Sequence, residues 1–135
     1  MRVLIADRDA CHREQLIEVM TWFGRVASIL QAERIEDLDH WPDHRAVDIA
    51  LVGELEGKDG GESVSAIRRA FPSASIAAFG EIDPENDERV RAAGAALVFD
   101  IRSSAWKTAL VLRSLVWPET ASATGERSAQ RVLAL

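Results

Sequence analysis

Asp7, Arg8 and Asp9 follow directly on the apolar run "RVLIA" at 2–6. Carboxylates at the end of a strand suit a divalent cation, because hard cations take oxygen ligands. Arg8 works against that use. At about 4 Å and an effective dielectric near 20, like unit charges repel by about 4 kcal/mol, so Arg8 is expected to neutralise Asp7 in place of a metal. Asp9 is better explained as the N-cap of a following helix. A second stretch, "DIALVGELEGKDGG" at 48–61, opens as a buried strand and closes as a glycine-rich loop. Open α/β proteins place their chemistry at such strand-to-loop junctions. Its first loop position is Gly53, which has no side chain. Glu54 comes next, but side chains alternate along an extended chain, so it is expected to miss a pocket that position 53 faces.

Other candidates are weaker. His40 and His44 have the i, i+4 spacing of helical metal ligands, but Pro42 lies between them and no third ligand is evident. A solvated helix end is the simpler reading. Cys11 falls in a first helical turn, where a thiolate would be stabilised; redox sensing competes there with an ordinary cysteine. "GELEGKDGG" lacks the spacing of a phosphate-cradling loop, and no Gly-x-Gly-x-x-Gly follows a strand. No Ser/His/Asp or Cys/His set stands at convincing positions. The expectation is no enzyme, no cofactor and no metal.

The elements that must position these residues can be read from periodicity. The chain has 135 residues, 47% of them hydrophobic and 28% charged, an ordinary globular mixture of one-domain size. A net charge of −6 argues against a basic nucleic-acid footprint within this segment. No run approaches a membrane span, "MRVLIADRD" turns acidic too soon for a secretory signal, and the single Cys11 excludes an internal disulfide. A cytoplasmic location is expected.

Strands are expected at "RVLIA" (2–6), "RVASILQA" (25–32), "VDIALV" (47–52), "ASIAAF" (74–79) and "AALVF" (95–99). Each is a short apolar run suited to a sheet covered on both faces. Between them lie helical segments. Leu16, Ile17, Met20 and Phe23 carry the first, stopped by Gly24; Ile35, Leu38 and Trp41 carry a short second, ended by Pro42. Val64, Ile67, Ala70 and Phe71 carry the third. Asp83-Pro84 opens a nearly all-polar fourth helix, and "SSAWKTALVLRSLVW" (103–117) forms the fifth. Five strand–helix repeats give a doubly wound α/β domain over 1–117. Residues 118–135 read as a polar linker, "ETASATGE", and a short amphipathic C-terminal helix or the start of a truncated output domain.

The acidic loop after strand one ("LIADRDA"), its spacing to "DIALVGELEGKDGG", and "AAGAALVF" before strand five resemble the receiver domain of two-component response regulators. The resemblance covers about residues 1 to 117. It implies a flavodoxin-like (βα)5 fold with a five-stranded parallel sheet in the order 2-1-3-4-5. It also implies a phosphorylation pocket that this chain has largely lost. Asp7 keeps one of two adjacent acidic positions and Arg8 takes the other. The phospho-accepting aspartate falls on Gly53, the hydroxyl residue on Gly80 and the lysine on Ile101. Glycine supplies no carboxylate nucleophile.

A degenerate pseudo-receiver follows: a phosphorylation-independent signalling or transcription-regulation module acting by protein–protein contact. Residues 123–135 faintly resemble the start of a helix-turn-helix output domain, so DNA would be met only through a domain outside this chain. The fifth helix carries more apolar surface than a sheet edge needs. Ala105, Ala109, Leu112 and Val116 can face the sheet, while Trp106, Leu110 and Trp117 form a second stripe. A homodimer through that helix, or a signalling partner there, is expected. The alternative is a small-molecule sensor at a pocket widened by Gly53 and Gly80. A third reading is a phosphoryl acceptor using Glu54 or Asp100.

Overall fold

The computed structural model describes residues 1–40, 46–81 and 83–117. Five strands, β1 (Arg2–Ala6), β2 (Ser28–Ala32), β3 (Ile49–Val52), β4 (Ser75–Gly80) and β5 (Leu97–Asp100), pair in parallel in the order β2-β1-β3-β4-β5. Four α-helices alternate with them: α1 (Ala10–Thr21), α2 (Gly60–Ala70), α3 (Pro84–Ala93) and α4 (Ala105–Val116). The second helical segment is only a 3₁₀ turn, Ile35–His40. The helix counted fifth from the sequence is therefore α4. The doubly wound order expected from the sequence is the one observed. The strands run two or three residues shorter than expected at several N-terminal ends, β2 starting at Ser28 rather than Arg25.

The alternation of side chains along the strands divides the core in two. Val3, Ile5, Leu51, Ala77 and Phe99 face one side, where Leu16, Val19 and Met20 of α1 and Leu112 and Val116 of α4 cover them. Leu4, Ala50, Ile76 and Ala78 face the other, under Val64 and Ile67 of α2, Val90 of α3 and Leu38 of the 3₁₀ turn. Burying each Val, Leu, Ile, Phe or Met side chain among these contributes about 1.5–3 kcal/mol. Val90 is the only buried residue of α3, as the polar sequence of that helix leads one to expect.

Three of the four helix starts are fixed by carboxylate caps, and α4 by Ser104, which accepts from the Lys107 amide. Asp9 accepts from the Cys11 amide, Asp59 from Glu62 and Asp83 from Asn86, with Pro84 next after the last. Asp59 and Glu62 form a reciprocal capping box. Helix α1 ends at Thr21, with Trp22 as its C-cap, so Gly24 lies past the stop rather than making it. Trp41, Pro42 and His44, and the linker and C-terminal segment at 118–135, fall outside the described residues. No helix among the described residues is long and apolar enough to cross a membrane.

Candidate functional site

The C-terminal ends of β1, β3, β4 and β5 bring Asp7, Arg8, Gly53, Gly80 and Ile101 to the walls of one pocket of about 260 Å³. Backbone bonds hold its edges in register. The Gly53 amide donates to the Ala6 carbonyl at 2.8 Å, and the Arg8 amide to the Glu54 carbonyl at 2.9 Å.

Asp7 is 3% exposed, so its carboxylate needs partners. Its Oδ2 lies 2.5 Å from Nδ1 of His12, in the first turns of α1. A carboxylate can only accept, so His12 Nδ1–H donates. The Glu54 amide donates to Oδ1 at 3.3 Å, and the Arg13 guanidinium donates to the Asp7 carbonyl at 2.7 Å. The expected neutralisation of Asp7 by Arg8 is not what forms. Arg8 instead meets Glu54 at 3.4 Å, with both side chains more than half exposed. The physical reason is alternation: Asp7 continues the inward face of Val3 and Ile5, so its neighbour Arg8 turns outward. Glu54 turns outward for the same reason and does not replace a nucleophile at 53.

Gly53 is not an empty position. A Cβ built there would lie 2.6 Å from Phe79 Cε2, 2.8 Å from Phe79 Cζ and 3.0 Å from Asp7 Cγ. The Phe79 ring occupies the space a side chain at 53 would need. It packs on Phe99 with centroids 5.6 Å apart and meets the edge of His12 at 6.2 Å. The widening expected from Gly53 is therefore absent. Sheet register explains why Phe79 is there: Val52 pairs with Ala78, so one residue further on Phe79 stands beside Gly53. Gly80, expected to hold the hydroxyl position, pairs with Asp100 at the strand end. A Cβ on Gly80 would meet nothing within 4 Å.

Ile101 is buried in the core under α1 and α4, and its carbonyl accepts from Gln15 Nε2 at 2.9 Å. It presents no cation to the pocket. Asp100 is committed to Arg102, which donates from Nε and from its terminal nitrogen at 3.0 and 2.7 Å. Those side-chain bonds and the Arg102 amide hold the carboxyl down at about 2. Cys11 is exposed, and Asp9 serves as the α1 cap.

On α4, Trp106 is 63% exposed and Leu110 is half-buried. Trp117 differs from the expectation: its ring packs against Phe23 at 5.2 Å, closing the core between α1 and α4. Thr108 is buried on the sheet-facing side beside Leu112 and Val116.

No protein-family model matches the sequence, and no curated protein does. Solved structures do share the fold. A two-component response regulator of the LuxR family from an Aurantimonas species aligns with a TM-score of 0.73 at 18% identity, covering 87% of this chain and 85% of its own. The signal receiver domain of a DNA binding response regulator from Colwellia psychrerythraea gives 0.69 at 21% identity, covering 86% and 98%. The RcsB response regulator of Salmonella typhimurium gives 0.72 at 18% identity, covering 85% of this chain and 59% of its own. The fold is that of receiver domains.

Receiver chemistry implies Mg²⁺ beside the phospho-accepting carboxylate, and the residues present do not fit it. The inward carboxylate is Asp7, whose Oδ2 is taken by His12, and Gly53 offers no oxygen. Among the described residues no group of three His, Cys, Asp or Glu could hold a metal ion.

Proposed function

We propose that the chain is a phosphorylation-independent, receiver-like module of signalling or transcription regulation that works by protein–protein contact. The observation carrying this reading is the Phe79 ring over Gly53. It puts an apolar group where aspartyl phosphorylation needs a nucleophile, and the neighbouring acid is bonded to a histidine. The fold shared with response regulators supports a regulatory role. Exposed Trp106 and half-buried Leu110 on α4 support pairing of two copies through that helix, because Trp is enriched where interface truncation costs at least about 2 kcal/mol. Sedimentation of the wild type and of a Trp106→Ala, Leu110→Ala variant tests the pairing. A dimer that the variant converts to a folded monomer is expected; a wild type monomeric at high concentration refutes it.

A second reading, a small-molecule sensor, draws on the 260 Å³ pocket, whose lining includes Arg8, His12 and Arg102 together with Phe79 and Ile101. A thermal-shift screen tests it: a ligand at about a hundred times its dissociation constant adds about 2.7 kcal/mol, and no shift from any compound class counts against it.

A further inference from the structure

The large hydrophobic side chains left exposed among the described residues, Trp22 and Trp106, both belong to the layer formed by α1 and α4. The charges of that layer are segregated. On α1 the exposed charges are Glu14 and Glu18, because His12 and Arg13 turn to Asp7. Helix α4 has no acidic residue, and its exposed charges are Lys107 and Arg113. None of these four side chains has an ion-pair partner among the described residues. Around α3, by contrast, Arg89 is paired with Asp59 and Arg91 with Asp87.

We infer that α1 and α4 form a self-complementary surface for a second copy of this chain, α1 of each copy against α4 of the other, with the two-fold axis along the helices. The inference rests on the pairing proposed for α4 and names what that helix meets.

The register follows from the fold. Helices α1 and α4 each follow a strand of the parallel sheet, cover the same sheet face and touch each other, so they run side by side in one direction. The ring contact of Phe23 with Trp117 at 5.2 Å sets their relative height. Glu18 precedes Phe23 by five residues and Arg113 precedes Trp117 by four; Glu14 precedes by nine and Lys107 by ten. At about 1.5 Å per helical residue, each acid therefore stands within about 2 Å of the height of one base.

A two-fold along the helices preserves height and exchanges the helices, so each contact between the copies is made twice. Glu18 then meets Arg113 of the second copy, and Glu14 meets its Lys107. A two-fold across the helices would set α1 on α1 and α4 on α4, with Glu against Glu and Lys107 against Arg113. Like charges brought together at an interface are costly, so the charges choose the first arrangement. Trp106 and Leu110 supply apolar area between the ion pairs. A net charge of −6 opposes general self-association, which leaves the match to this local pattern.

Sedimentation of the full chain tests the arrangement with two charge-reversed variants, Glu14→Lys, Glu18→Lys and Lys107→Glu, Arg113→Glu, each alone and the two mixed in equal amounts. All four side chains are exposed, so both variants are expected to keep the wild-type circular dichroism. Alone, each sets like charges against each other and should dimerise at least about tenfold more weakly than the wild type. The mixture restores opposite charges at both contacts of a heterodimer and should recover the dimer. The wild-type dimer should weaken as salt is added. Where a double variant fails to fold, Glu18→Lys mixed with Arg113→Glu is read in the same way. Either variant dimerising alone as tightly as the wild type, or a mixture that stays monomeric, would overturn the inference. If the α1 variant leaves the dimer intact while Trp106→Ala, Leu110→Ala splits it, the α1 assignment falls and the pairing through α4 stands. A monomeric wild type overturns both.

Discussion

His12 Nδ1 sits 2.5 Å from Asp7 Oδ2, and this contact lets a buried carboxylate persist although the pocket's arginines, Arg8 and Arg102, pair with Glu54 and Asp100 instead. Removing the imidazole leaves Asp7 short of a partner while it stays 3% exposed. His12→Ala is therefore expected to cost about 1–3 kcal/mol in urea unfolding. Arg8→Ala breaks only an exposed ion pair and should stay within about 1 kcal/mol. A larger loss for Arg8 than for His12 would reverse the assignment.

The Phe79 ring and Gly53 are expected to be coupled. Gly53→Ala places a methyl 2.6 Å from Phe79 Cε2, and overpacking of this kind costs about 1–3 kcal/mol. In a Phe79→Ala background the same substitution should cost little, because the ring is gone. Strict additivity in that double-mutant cycle would show that the two positions do not compete for space.

Acid should weaken the start of α2. The Glu62 amide and then the Arg89 guanidinium hold the Asp59 carboxyl below its ordinary value of 3.8. A lowered folded value means the stabilisation is complete above that ordinary value and is lost as pH falls through the folded one. Asp100, held at about 2 by Arg102, has the same sign. Stability measured between about pH 5 and 2 should fall less steeply in Asp59→Asn, since Asn caps about as well as Asp but does not titrate. An unchanged slope would contradict this.

The two exposed-stripe residues of α4 and Trp117 should behave differently. Trp106→Ala and Leu110→Ala are expected to alter association and leave the monomer folded. Trp117→Ala removes the edge-to-face pair with Phe23 and should lower monomer stability by about 1 kcal/mol or more. Equal effects of Trp106 and Trp117 on monomer stability would show that both belong to the core.

The fold was legible because each strand is a short apolar run and the starts at Asp9 and Asp83-Pro84 carry helix-opening residues, so order and element type follow from local pattern. The loss of chemistry at 53 and 101 was legible too, since Gly and Ile cannot supply a carboxylate or an ammonium. What fills the site was not. Phe79 shares a strand face with Ala77, an alternation visible in "SIAAFG", but its meeting with Gly53 depends on the β3–β4 register, a long-range property. His12 was overlooked beside Arg8, although the Asp9 cap places it in the first turns of α1, close to the end of β1. Trp117 read as part of an exposed stripe because the helix C-cap, where the backbone leaves α-geometry, turns it from the stripe toward Phe23.

Intact-protein mass after incubation with acetyl phosphate and Mg²⁺ tests the central claim most directly, run on the wild type and on Gly53→Asp. Both masses are expected to stay unchanged: the wild type has no nucleophile at 53, and the variant's new carboxylate meets the Phe79 ring with Arg8 and Ile101 still in place. A stoichiometric, base-labile gain of one phosphoryl group on a carboxylate of the wild type would contradict the account. Rapid gain by Gly53→Asp alone would show the rest of the pocket to be intact.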